Sequence, residues 1–205
     1  MAKILSGLGR AGMARVVDPV ARALLRAHIS PDAVTVAGTL GVVAAAIGFG
    51  ARGHLVAGAL IVTLFTLTDM IDGSMARQRG RAGKFGAFLD STMDRVADGA
   101  VFGSVAYWLA TQGRHWALVA TLICLVSGQL VSYAKARAEG LGMTANVGIA
   151  ERFERLLLVG LGGLVEGFGV KHGLDVALWL LAVLSIVTVG QRVGTVYRQD
   201  REANP

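Results

Sequence analysis

Asp69 and Asp72 stand three residues apart, and Asp90 and Asp94 four apart, at the two ends of the stretch DMIDGSMARQRGRAGKFGAFLDSTMD. On helices both intervals place the paired side chains on one face. Glycines accompany the pairs as Gly73 and Gly86, and a missing side chain there leaves room for a ligand. Four carboxylates at such range do not all stay ionised unaided. One like-charge pair at ~5 Å costs about 3 kcal/mol at an effective dielectric of ~20, so protons or cations must sit among them. Oxygen ligands without His or Cys suit hard ions, Mg²⁺ first, then Mn²⁺ or Ca²⁺. Mg²⁺ keeps some waters and joins carboxylates to substrate phosphates, and four aspartates exceed what one such ion recruits, so two ions are expected. Arg77, Arg79, Arg81, Lys84 and Arg95 offer the plainer alternative of a salt-bridge network. Scattered ion pairs, however, have no need of two helical pairs and two glycines in register.

The elements that must carry these residues are membrane helices. Of 205 residues, 54% are hydrophobic and 17% charged, against about 25% charged in soluble domains. The 28 glycines are about twice the ordinary usage, and small residues let membrane helices approach closely. Apolar runs near 33–50, 55–71, 87–110, 116–134, 156–170 and 174–191 each approach the ~20 residues that cross a bilayer core. The fold class expected is an all-α integral membrane protein with six transmembrane helices. Asp69 ends the second run early and Glu166 interrupts the fifth. Ahead of the runs, MARVVDPVARALLRAHISPD sets Val20, Leu24 and Leu25 on one face and Arg22 and Arg26 on another. That pattern predicts an amphipathic helix in the membrane interface, with Asp18 as its N-cap and Pro19 as its first residue. The organisation expected is therefore an N-terminal interfacial segment over 1–32, a six-helix domain over 33–197 and a tail over 198–205. Cys124, alone in an apolar run, excludes an internal disulfide and reads as a small hydrophobe. No N-terminal stretch has the make-up of a cleaved signal peptide.

The net charge of +6 takes its meaning from placement. Lys3, Arg10, Arg15, Arg22 and Arg26 precede the first run, and Arg77, Arg79, Arg81 and Lys84 follow the second. Lys135, Arg137, Arg152 and Arg155 lie between the fourth and fifth, and Arg192, Arg198 and Arg201 follow the sixth. The other side holds only Arg52, Arg114 and Lys171. This asymmetry puts both termini and the aspartates in the cytoplasm, at the plasma membrane, and assigns the charge to topology and not to nucleic acid.

The order Asp69, Asp72-Gly73, Ala76-Arg77, Gly86, Asp90, Asp94 resembles in full the signature of the CDP-alcohol phosphotransferases. The six-run layout, the N-terminal helix and ISPDAVTVAG at the first run are similar to that family as well. The resemblance implies a reaction in which a CDP-linked lipid gives its phosphatidyl group to an alcohol and releases CMP. It implies that Asp69, Asp72 and Asp90 hold the metals, and that Asp94 touches one and takes the acceptor hydroxyl's proton. It further implies that Gly73, Ala76 and Arg77 contact the nucleotide, that Pro31, Asp32 and Thr35 close over the cytidine, and that the protein is a homodimer. Gly83 offers loop backbone to a phosphate at a helix start. Asp98 continues the four-residue series outside the signature and is expected to serve helix packing or to support the ligands from behind.

A basic cluster bears on the acceptor. Lys135 and Arg137 end the fourth run, Arg152 and Arg155 open the fifth and Arg192 ends the sixth, all on the aspartates' side. Free inositol needs no such cations and a phosphorylated polyol does. SYAKARAEG, CLVSGQLVSY and ERFERLLL resemble the branch of actinobacterial phosphatidylinositol phosphate synthases, which implies an inositol phosphate acceptor. The phosphatidylglycerophosphate synthases, which use glycerol 3-phosphate, share much of the pattern and stay open as the alternative. A transporter would carry acids near mid-bilayer on several helices, and a lipid-binding scaffold would have no use for aspartates in register. Gly99 and Gly103 suit helix packing, within the protomer or across a dimer.

Overall fold

The computed structural model describes residues 17–79 and 83–203, all of whose regular structure is helical. Lys3, Arg10, Arg15 and Arg81 of the charge pattern lie outside them, as do the last two residues of the tail. The first helix, α1, covers 17–26 and so already includes Asp18, which the sequence casts as its cap. It ends on a left-handed residue, His28 (φ 59°), with Ile29 N–H donating to Leu24 O and His28 N–H to Leu25 O, both at 3.1 Å. That is a Schellman closure made by histidine in place of glycine. Ser30 then caps α2 (Pro31–Gly48): its Oγ accepts the Ala33 N–H at 3.1 Å, and Pro31 takes the first helical position. A 3₁₀ turn (Gly50–Arg52) leads to α3 (Leu55–Thr66), α4 (Thr68–Gln78), α5 (Lys84–Thr111), α6 (His115–Gly140), α7 (Arg152–Gly167) and α8 (Gly173–Ala203).

The chain clusters into two compact units, one from Met1–Ala44 and Ile61–Ala97, the other from Ala45–Leu60 and Asp98–Pro205. In the first, the part of α3 from Ile61 on runs into α4 through a single-residue break at Leu67, whose backbone stays helical. The hydroxyls of Thr66 and Thr68 donate to Val62 O (2.8 Å) and Phe65 O (2.5 Å) and compete with the helical ladder there. Opposite them α2 is bare. A Cβ at Gly38 would collide with Thr68, and one at Gly41 with the Phe65 ring. The contacts Thr35–Asp72, Gly38–Thr68 and Gly41–Phe65 rise along α2 as they fall along α3 and α4, so these helices are antiparallel and backbone-close.

In the second unit α8 packs along α6 and α7. Leu174, Leu178, Leu181, Ala182, Ser185, Thr188 and Arg192 form the buried stripe of α8, and small residues from Ala117 to Gly128 form that of α6. Cys124 Sγ–H points at Leu178 O (3.3 Å), where the two stripes meet, as a small hydrophobe. Glu166, which breaks an apolar run in the sequence, pairs with Arg114 and accepts the Leu174 N–H at 3.0 Å at the start of α8. Arg114 also pairs with Asp175 and lies 5.2 Å from the Trp108 ring centroid. Its hydrogen bonds to Glu166 raise the guanidinium pKa above its ordinary value.

Four stretches are long and apolar enough to cross a membrane: Pro31–Arg52, Leu55–Gln78, His115–Gly140 and Gly173–Ala203. Of the two other expected spans, α5 has 28 residues but carries Lys84, Asp90, Asp94, Arg95 and Asp98 between its start and its midpoint at Asp98. The other, α7, has 16 residues. Large apolar side chains face outward, including Leu122, Val126 and Leu130 on α6 and Leu180, Val183 and Ile186 on α8. Water does not favour such a surface and lipid does. The chain is a membrane protein.

Candidate active site

The site is built on the antiparallel approach of α2 to α4. Asp69 stands in the first turn of α4, half-buried, and Asp72 follows on the same face, 6% exposed. The Thr35 hydroxyl donates to Asp72 Oδ2 at 2.5 Å. This pair exists because Gly38 and Gly41 let the helices close. Asp69 and Asp90 both act electrostatically on the Asp72 carboxylate, so acids from α4 and α5 converge. Asp94, one turn beyond Asp90, is half-buried with Arg95 Nη2 at 3.8 Å. Among the described residues no three acidic, histidine or cysteine side chains close to metal-ligand distance. The donor set nevertheless fits a hard cation, because it is all carboxylate and converges from two helices. The glycines leave space beside it: among the described residues a Cβ at Gly73 would meet only Arg77 Nη1, at 3.5 Å, and one at Gly86 only Asp32 Oδ1, at 3.3 Å.

The other signature positions gather in the same unit. Pro31 and Asp32 form the first turn of α2, Ala76 lies one turn beyond Asp72, and Gly83 immediately precedes α5. Arg77 is exposed and lines an open polar cleft of about 470 Å³ with Asp18, Arg22, Ser74 and Gln78. Sequence reasoning missed how α1 docks here. Ser74 Oγ donates to Asp18 Oδ1 at 2.6 Å, and Gln78 Nε2 reaches Ser74 Oγ at 3.0 Å. No local spacing signals a bond across 56 residues. Arg79 reaches Ile29 O at 3.4 Å and holds the turn after α1.

The basic cluster sits in the second unit and is more committed than its sequence suggests. Lys135 lies 4.0 Å from Glu139, and Arg137 is exposed in the last turn of α6. Arg152 Nε lies 3.4 Å from Asp98 Oδ1, and Arg155 Nη2 lies 2.6 Å from Asp98 Oδ2. Asp98 is 2% exposed and Arg155 1%, so the Asp98 carboxylate is buried against the arginines that open α7. Arg192 donates to Val131 O, to Val147 O (2.8 Å) and to Glu151 Oε1 (2.8 Å). It thereby fastens the segment after α6 to α8, together with Thr188, whose Oγ1 accepts the N–H groups of Ile149 and Ala150 at 3.1 and 3.0 Å.

Residues 28–190 match the model of the CDP-alcohol phosphatidyltransferase family. A phosphatidylinositol phosphate synthase of Streptomyces avermitilis is 48% identical over 98% of this chain and 86% of its own length. One of Mycobacterium marinum is 50% identical over 93% of this chain and 83% of its own. The crystal structure of the Mycobacterium tuberculosis phosphatidylinositol phosphate synthase with CDP-DAG bound superposes with a TM-score of 0.87, at 47% identity, over 90% of this chain and 94% of that one. The structure of the same enzyme with manganese and citrate gives 0.85, at 47% identity, over 88% of each chain. The aspartate spacing, the helical frame and a family match across most of the length agree, and the chain belongs to the CDP-alcohol phosphatidyltransferase family.

Proposed function

We propose that the chain transfers the phosphatidyl group of CDP-diacylglycerol to an inositol phosphate, releasing CMP and leaving phosphatidylinositol phosphate in the membrane. The observation that carries this reading is near-half identity, along 98% and 93% of the chain, to two enzymes of that one name. The related enzyme that binds CDP-DAG supports the donor, and its manganese complex supports a divalent ion. Asp69, Asp72, Asp90 and Asp94 would hold the cations, two Mg²⁺ ions in this reading. When bound, such ions neutralise the pyrophosphate and the charge developing on the departing CMP.

The remaining work falls to the chain. Asp94 takes the proton of the acceptor hydroxyl. The hydroxyl oxygen attacks the phosphorus that carries diacylglycerol. A new P–O bond forms as the bond to the bridging oxygen breaks, and CMP leaves with that electron pair. Arg77 grips the pyrophosphate with its planar fork, Gly73 and Ala76 admit the nucleotide, and Pro31, Asp32 and Thr35 close over the cytidine. Gly83 offers backbone to a phosphate. Lys135, Arg137, Arg152, Arg155 and Arg192 form the acceptor's anion site. In this reading α5 and α7 join the four apolar stretches as six spans, α1 lies in the interface, and the site and both termini face the cytoplasm. The protein works as a homodimer. Gly99 and Gly103, where an added Cβ would meet nothing within 4 Å among the described residues, suit a close helix contact there.

The test separates catalyst from binder. Asp94→Asn should lose CMP release by about 10²- to 10⁴-fold while still binding CDP-diacylglycerol and metal in equilibrium titrations. Turnover close to wild type in that variant would remove Asp94 as the base.

A further inference from the structure

The ion pair of Asp98 with Arg155 is unusual in what it leaves undone. Arg155 is 1% exposed, yet only Nη2 is engaged by Asp98, at 2.6 Å, while buried Nε and Nη1 make no hydrogen bond among the described residues. Structural ion pairs in a protein interior have their donors satisfied. Gly128 makes the arrangement possible, because a Cβ there would stand 3.1 Å from Nε and 3.4 Å from Cζ. The second Asp98 oxygen reaches Arg152 Nε at 3.4 Å, so one carboxylate ties two arginines one helical turn apart. We infer that Asp98 is a positioning residue for the acceptor: it offsets the buried charge and sets Arg155 and Arg152 side by side, with donors of Arg155 left for the acceptor's phosphate. This rests on the reading of the two arginines as part of the acceptor's anion site.

Steady-state CMP release by the full-length protein in lipid–detergent micelles tests it, with KM measured separately for inositol phosphate and CDP-diacylglycerol. Asp98→Asn should raise the inositol phosphate KM at least fivefold and leave the CDP-diacylglycerol KM within twofold. Asp98→Glu should recover part of the loss. Should Asp98→Asn fail to fold, Gly128→Ala decides, because it displaces the guanidinium without changing charge and should raise the same KM alone. An unchanged acceptor KM, or both KM values rising together with a lower thermal midpoint, overturns the inference and leaves Asp98 a purely structural residue. Arg155→Lys distinguishes the two levels. If it raises the acceptor KM while Asp98→Asn and Gly128→Ala do not, the inference alone fails. If it leaves the acceptor KM unchanged, the anion-site reading falls as well.

Discussion

Asp72 differs from the other three signature aspartates in its burial and in the Thr35 hydroxyl that meets it at 2.5 Å. That bond fixes one carboxylate while Asp69 and Asp90 add their charge to its surroundings. Thr35→Val should cost about 1–3 kcal/mol of stability by leaving a buried carboxylate short of a partner. It should also raise several-fold the metal concentration for half-maximal CMP release, measured by titrating Mg²⁺; an unchanged metal requirement would detach Thr35 from the metal-holding role proposed for Asp72. The aspartates were legible in the sequence because helical spacing is local and glycine marks open space. Arg192 was legible only as a cation, because two of its partners are the carbonyls of Val131 and Val147, a group every residue carries. Arg192→Ala should therefore destabilise the folded protein by about 3 kcal/mol, read as a lower midpoint in a detergent unfolding titration, beyond any effect on acceptor KM.

At the scale of elements, the approach of α2 to α3 and α4 is what places Thr35 against Asp72. Gly41→Leu would drive a side chain into the Phe65 ring and should cost about 1–3 kcal/mol by overpacking. Activity should fall with it, since the Thr35–Asp72 pair depends on the same closeness. Retained activity and an unchanged melting curve would separate the glycines from the site. The apolar runs behind α2, α3, α6 and α8 stood out in the sequence because nothing but lipid and packing acts on them. The α5 and α7 helices were harder to read, since Asp90, Asp94, Arg95 and Asp98 on α5 dilute its hydropathy, and Glu166 on α7 is spent on Arg114. That last pairing spans 52 residues, so the sequence showed Glu166 as an interruption and not as a fastening. The one-residue break at Leu67 was equally hidden, because it arises from which carbonyls Thr66 and Thr68 choose.

At the scale of the whole molecule, the outward apolar faces and the charge asymmetry of the loops predict one orientation. Cys124 is fully buried, so the natural chain is a quiet background for labelling. In intact cells a membrane-impermeant maleimide should modify Gln112→Cys and spare Arg137→Cys, and permeabilisation should expose both; the reverse order would invert the molecule and take the aspartates out of the cytoplasm. The family was legible from one stretch of sequence because its chemistry demands fixed spacing. The inositol phosphate acceptor was legible only through the likeness of SYAKARAEG, CLVSGQLVSY and ERFERLLL; the basic cluster alone marked an anionic acceptor, because arginines at helix ends serve topology, packing and anion binding alike. The most direct measurement is accordingly CMP release by the purified protein with CDP-diacylglycerol and Mg²⁺, comparing inositol phosphate, glycerol 3-phosphate and free inositol. Turnover with inositol phosphate and not with the other two is the predicted result. Turnover with glycerol 3-phosphate in its place would contradict the assigned acceptor, and no CMP with any of the three would contradict the account of the aspartates.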